Sequence, residues 1–263
     1  MNLGISTASL YTKFATENCF SALRDIGVDT TEVFFSSFSE YEKGFVDALV
    51  TRQNGMKVHS VHAVSNQFEG ELFAKTQRVR DDAEQLFRKI CYGANALGAK
   101  YYTFHGPLSL KKSPSTVSDP GEIAEHFNRL SIIARTYGVT IAVENVHYCK
   151  FSTPEIIKSV LKACPSLMAT VDVKHALYSG YDPIRFIDAV QDRLVTLHVN
   201  DVDRDDNTAL PGKGRFNFEK FFKEVSKRDI HSTVLIEAYP KDFTYMTEIA
   251  DSYKYLKEII DNL

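Results

Sequence analysis

Short apolar runs alternate along the chain with longer stretches in which apolar residues recur every third or fourth position. The short runs read as strands: GISTAS, TTEVFF, KVHSVHA, KYYTFHG, TIAVEN, MATVDVKH, LVTLHVND and TVLIEAY. The longer stretches read as helices over 39–53, 70–97, 120–137, 153–163, 183–190 and 217–227, with a closing helix over 244–262. Gly27, Gly55, Gly98 and Gly138 each stand between a helical stretch and the next strand, where a left-handed C-cap is expected. Eight strands alternating with eight helices predict an α/β fold, a closed (β/α)8 barrel, with an open doubly wound sheet as the alternative. The open sheet is disfavoured. Neither GxGxxG nor GxxxxGK[ST] follows a strand, and the polar residues that end the strands are spread around the set instead of clustering at one switch point.

Seven strands carry a titratable or metal-ligating residue at or near their carboxyl ends: Glu32, His62, His105, Glu144, Asp172, His198 and Glu237. In a closed parallel barrel those ends converge on one mouth, where such barrels keep their active sites. Buried charges need partners, so a ring of carboxylates and imidazoles at one level points to a cation between them. Glu144, Asp172, His198 and Glu237 close four successive strands. Three carboxylates and one imidazole suit a single divalent ion such as Mn, Mg, Co or Zn. Glu32 is open to two readings, a structural ion pair inside the barrel or a place in the site. His59, His126, His147 and His231 read as structural, because they fall on other faces or outside the strand ends.

Composition narrows the class. The 263 residues suit one barrel domain spanning 1–263. No apolar run is long enough to span a bilayer, and the N-terminus reads as a first strand, not a signal peptide. Cys19, Cys91, Cys149 and Cys164 share no CxxC spacing and read as buried thiols of a reducing, cytoplasmic compartment. The net charge of −3 weighs against a nucleic-acid partner. A homo-oligomer is compatible with such a barrel, but no sequence signature marks one.

The fragments VEN, D-x-x-H (Asp172 to His175), LHVND and LPGKG, in that order, resemble the xylose isomerase-like barrel superfamily over essentially the whole chain. That superfamily includes sugar epimerases and isomerases, inosose-processing enzymes and endonuclease IV. The resemblance to its ketose 3-epimerase branch implies one metal held by Glu144, Asp172, His198 and Glu237. It also implies Glu144 and Glu237 as an acid/base pair on opposite faces of the substrate, and His175 and Arg204 as substrate-binding residues. The activity implied is that of a metal-dependent sugar, sugar-phosphate or inosose isomerase or epimerase, acting through a metal-stabilised enediolate. Dehydration is a further outcome of the same intermediate.

Departures from the family pattern keep other readings open. Epimerases of this branch often carry a second glutamate shortly after the fifth-strand one, where this chain has Lys150. Together with Lys174 and Lys213 it could favour an acidic or phosphorylated sugar, although solvated surface lysines are the plainer expectation. His62, His105 and His175 match ligands of the endonuclease IV zinc cluster, and Asp206 could stand for a fourth. Thr208 replaces a further histidine, and Ser65 stands where an intruding aromatic residue is expected. A metal-dependent hydrolase of abasic DNA and a non-catalytic barrel are therefore the alternatives. In the sugar-enzyme reading His62 and His105 bind substrate hydroxyls or help to hold a second metal. The loop ALPGKGRF reads as a close backbone approach beside the mouth, or as a plain turn.

Overall fold

The computed structural model describes residues 1–64, 68–109 and 120–263, so the expectation resting on Ser65 lies outside the described residues. The barrel strands are β1 (Asn2–Ser6), β2 (Thr30–Phe35), β3 (Lys57–Ala63), β4 (Tyr101–Phe104), β5 (Thr140–Glu144), β6 (Met168–Asp172), β7 (Leu194–Val199) and β8 (Thr233–Ile236). Each pairs in parallel with its sequence neighbours, and β8 pairs with β1 to close the ring. The predicted (β/α)8 TIM barrel is the fold.

Helices follow the predicted periodicity closely. Helix α1 covers Cys19–Asp25, α2 Lys43–Gln53, α3 Gln77–Ala96, α4 Pro120–Thr136 and α5 Pro154–Ala163. The predicted starts at 39 and 70 are too early, because 3-10 turns over Phe38–Tyr41 and Glu71–Phe73 precede the regular helices there. A short helix absent from the sequence reading, α6 (Val173–Tyr178), leaves directly from the end of β6. Helices α7 (Pro183–Val190), α8 (Phe218–Ser226) and α9 (Met246–Asp261) complete the ring. Gly27, Gly55, Gly98 and Gly138 all take positive φ, as their C-cap positions require.

The sheet faces explain how polar residues come to lie inside. Outward-facing strand residues such as Val33, Val61, Val143 and Val171 pack beneath the helices in the main apolar cluster. Inward-facing residues alternate with them, and many are polar: Ser6, Glu32, Ser60, Thr103, Glu144, Asp172 and His198 are all buried. All four cysteines are buried and free. Among the described residues, no helix is long and apolar enough to cross a membrane.

Candidate metal and substrate site

The four predicted metal ligands meet. Glu144 ends β5, Asp172 ends β6, His198 is the penultimate residue of β7, and Glu237 follows β8 by one residue. These strands are consecutive in the barrel wall, and one ligand atom from each residue lies within 4.8 Å of all the others. His198 is the hub. Its Nδ1 stands 3.0 Å from Glu144 Oε1 and 3.2 Å from Glu237 Oε2, and its Nε2 3.2 Å from Glu32 Oε1.

Local sequence holds this arrangement in place. Asp172 is the N-cap of α6, where its Oδ1 accepts the His175 backbone N–H at 2.6 Å. The D-x-x-H fragment is thus a helix cap, and it leaves Asp172 Oδ2, buried and without a hydrogen bond, on the site side. Asn145, next to Glu144, exchanges two hydrogen bonds with the Asp172 backbone, at 2.6 and 2.9 Å, and so ties the end of β5 to the end of β6. Asn200, two residues after His198, donates to the Glu237 carbonyl at 3.2 Å. Asp201 then accepts the backbone N–H groups of Gly212, Gly214 and Phe216, which folds the LPGKG loop down beside the mouth. The asparagines and Asp201 in the recognised fragments are therefore braces that hold each ligand's strand end to its neighbours.

Three buried carboxylates around one imidazole dominate the electrostatics. Burial disfavours the charge of His198, but Glu237, Glu32 and Glu144 outweigh it and hold the imidazolium well above the ordinary histidine range. The reciprocal effect overcomes burial at Glu144, which His198 and His105 hold well below the usual carboxylate range. Glu237 is held low in the same way by His198 and His62. Asp172 goes the other way. Burial pushes it up to about 6, with Lys174 opposing. Excess negative charge, an unsatisfied Asp172 oxygen and a mixed oxygen and nitrogen donor set fit a divalent cation bound by these four residues.

A pocket of about 170 Å³ opens beside the cluster, lined among others by His62, His105, Lys174, His175, Glu237 and Tyr239. Its walls mix those polar groups with apolar ones, Ala8, Phe34 and Pro240 among them, as small-molecule sites do. His105 Nε2 reaches Glu144 Oε2 at 2.8 Å, and His62 Nδ1 stands 3.6 Å from Glu237 Oε1. The two imidazoles meet edge to face, with ring centroids 4.4 Å apart. His175 turns its Nδ1 to His147 Nδ1 at 2.7 Å, so His147, read from sequence as structural, stands directly behind a pocket residue. Burial, with Lys174 nearby, holds His175 well below the ordinary histidine range, in the neutral form. A larger pocket, about 410 Å³, lies at the opposite mouth around Lys57, His59 and Thr233, and none of the four ligands lines it.

Three expectations need correction. Glu32 does not end its strand. It sits in the middle of β2, in a nest of hydroxyls. Lys174 is not a solvated surface lysine: it is 3% exposed, with Nζ 3.6 Å from Asp172 Oδ2 and 4.5 Å from the centre of the Tyr239 ring. Its place two residues after the α6 cap turns it inward, which the fragment alone did not reveal. Arg204 is exposed, in the turn of a small hairpin formed by Asp201–Val202 and Thr208–Ala209, and is not brought into the pocket. Lys213 is exposed and Lys150 partly so. Asp206, on the same hairpin turn, pairs with Arg215 instead of joining His175. Among the described residues, neither Asp206 nor His175 belongs to a group that could hold an ion.

The sequence profile of the xylose isomerase-like TIM barrel family matches residues 20–259. The chain belongs to this family. It is 23% identical over 235 residues, 76% of this chain and 74% of the relative, to the inosose dehydratase of Geobacillus kaustophilus (strain HTA426). Among solved structures it is similar to a D-tagatose 3-epimerase-like protein, at 20% identity and TM-score 0.79, with 100% of this chain and 98% of the other covered. A D-psicose 3-epimerase with D-tagatose from Clostridium cellulolyticum H10 superposes with TM-score 0.80 at 14% identity, with 99% of each chain covered. The IOLI protein with a bound zinc atom does so with TM-score 0.77 at 16% identity, covering 100% of this chain and 99% of that one. At these identities the structural likenesses establish the fold, and the chemistry has to be argued from the site.

Proposed function

We propose that this protein is a divalent-metal-dependent isomerase or epimerase of a small sugar or sugar derivative, with dehydration as a variant outcome of the same proton transfer. One observation carries the reading. Two ionised carboxylates on different strands, Glu144 and Glu237, each place an oxygen within 3.2 Å of the same His198 nitrogen, beside a pocket of mixed polar and apolar walls. The sugar-processing relatives support it.

Glu144, Asp172, His198 and Glu237 would hold the ion. When bound, it would supply Lewis-acid polarisation of a substrate carbonyl and so acidify the neighbouring C–H. Glu237 lines the pocket and is the carboxylate placed to take that proton, with Glu144 as its counterpart. Return of the proton to the opposite face inverts the carbon, and return to the adjacent carbon isomerises the sugar. His62, His105 and His175 would meet the substrate's hydroxyls. The charge that develops on oxygen needs a cation, and among the described residues Lys174 is the one lining the pocket, whereas the exposed Arg204 belongs to the loop beyond it. The abasic-DNA hydrolase reading loses ground, because Asp206 and His175 are engaged with Arg215 and His147.

The test is metal content after reconstitution and desalting, followed by a ketose and inosose screen in deuterated water, with Glu237→Gln alongside. One ion per chain and deuterium incorporation that the variant loses are expected. Unchanged exchange in Glu237→Gln would sink the reading.

A further inference from the structure

Glu32 is a buried carboxylate that this reading does not use. It is fully enclosed, in the middle of β2. Strand register puts Ser6 of β1 and Ser60 of β3 directly beside it. Ser6 Oγ donates to Oε1 at 3.1 Å, and Ser60 Oγ and Thr103 Oγ1 donate to Oε2 at 2.8 and 2.7 Å. Three hydroxyl donors on one carboxylate favour its ionised form and fix its direction. Glu32, His62 and Glu237 do bring ligand atoms within 4.8 Å, but those hydroxyls already occupy Glu32, so this trio is the poorer cation site.

Glu32 Oε1 stands 3.2 Å from His198 Nε2, while Nδ1 on the other side of the ring faces Glu144 and Glu237. Nε2 is buried without an aligned hydrogen bond, and Glu32 Oε1 is the carboxylate oxygen within ion-pair reach of it. An imidazole that ligates an ion has given up one proton and keeps the other. Placed on Nδ1, that proton would block the four-residue site and leave the Nε2 lone pair facing a carboxylate. Placed on Nε2, it meets Glu32 and frees the Nδ1 lone pair for the site. A carboxylate behind a ligating histidine orients the ring and strengthens it as a donor.

We infer that Glu32 is a positioning residue that keeps the His198 proton on Nε2 and so presents Nδ1 as the metal-binding nitrogen. The inference rests on the proposed ion at the four-residue site, though not on any sugar chemistry. Ser6, Ser60 and Thr103 extend the device by holding Glu32 ionised and aimed.

The experiment is proton–nitrogen NMR of the imidazoles in the full chain loaded with zinc, assigned by comparison with His198→Gln, with zinc affinity measured by chelator competition. The expected result is a protonated, exchange-protected Nε2 and a metal-shifted Nδ1 on His198. Glu32→Gln is expected to weaken zinc binding about 10–100-fold and to move the Nε2–H resonance. Ser60→Ala with Thr103→Val, which leaves the carboxylate in place, is expected to shift the same resonance and to weaken zinc several-fold. If Glu32→Gln fails to fold, this pair decides. Zinc carried on Nε2, or zinc affinity and the His198 resonances unchanged in the variants that fold, would overturn the inference and leave the sugar-enzyme reading standing. A chain that retains no zinc at all would overturn both.

Discussion

Lys174 directs its ammonium to Asp172, 3.6 Å from Oδ2, with both side chains all but sealed from solvent. Burial works against the ammonium's charge, but Asp172 and Glu237 outweigh it and hold Lys174 above the ordinary lysine range. A fixed positive charge thus sits against one of the residues that would hold the ion.

Removing that charge should have opposite effects on the empty and the loaded protein. Without metal, Lys174→Met leaves Asp172 unpaired in the interior and is expected to cost about 3 kcal/mol of stability, read by chemical denaturation. With zinc or manganese the ammonium no longer repels the ion, and binding should tighten about tenfold in a competition titration. Weaker binding in the variant would show that Lys174 shapes the site more than it opposes the ion.

Metal affinity should fall steeply in acid. Protons compete with the ion at Asp172, whose carboxyl burial pushes up to about 6, and at His198, which its carboxylates hold in the charged form. Affinity is therefore gained as pH rises through 6 and lost as it falls. A drop of roughly a hundredfold or more between about pH 7 and pH 5 is expected, measured by isothermal titration with buffer-ionisation correction. A flat profile would exclude both residues as ligands.

Glu69 provides a separate test on stability. It is fully buried and accepts hydrogen bonds from Tyr102 Oη at 2.6 Å and from the backbone N–H groups of His105 and Gly106 at 2.9 and 2.7 Å. Burial nevertheless pushes its carboxyl up to about 7, from the ordinary 4.5. Between those values the folded chain binds more protons than the unfolded one, so this group's contribution to stability is full below the lower value and is lost as pH rises towards 7. Glu69→Gln should remove that slope and be the more stable form above about pH 7, by an amount on the order of 2 kcal/mol. Denaturation midpoints at several pH values check it.

Gly106 closes the β4 end with φ +79°, and a Cβ there would run into the Phe151 ring. Gly106→Ala is expected to cost about 2 kcal/mol or more, from the strained backbone and the displaced ring. The neighbouring His105 should move off Glu144 as well, visible as a changed His105 imidazole spectrum. A neutral substitution would show that the loop can re-form without this turn.

How far the sequence reached is clear from particular residues. Period-two and helical patterning, with glycine at four helix ends, were enough for alternating strands and helices, and the spread of polar strand ends around the set favoured a closed barrel over an open sheet. Glu144, Asp172, His198 and Glu237 were legible because each is a charged or polar side chain at a strand end that apolar packing would not choose. Glu32 announced itself as anomalous, but its place on the strand was misjudged: one strand's residues do not show how far that strand is staggered against its neighbours.

The chain's own pattern, then, determined the architecture and which strand ends carry the candidate ligands, since both depend on local periodicity and on the cost of burying charge. Only the tertiary structure decided that Lys174 turns inward from a helix cap while Arg204 stays on an exposed hairpin turn. It alone set His147 behind His175, and Glu32 behind His198. Such relations depend on barrel stagger and on the direction in which a loop leaves its strand. Both are set by packing between segments far apart in sequence, so no single stretch of the chain encodes them.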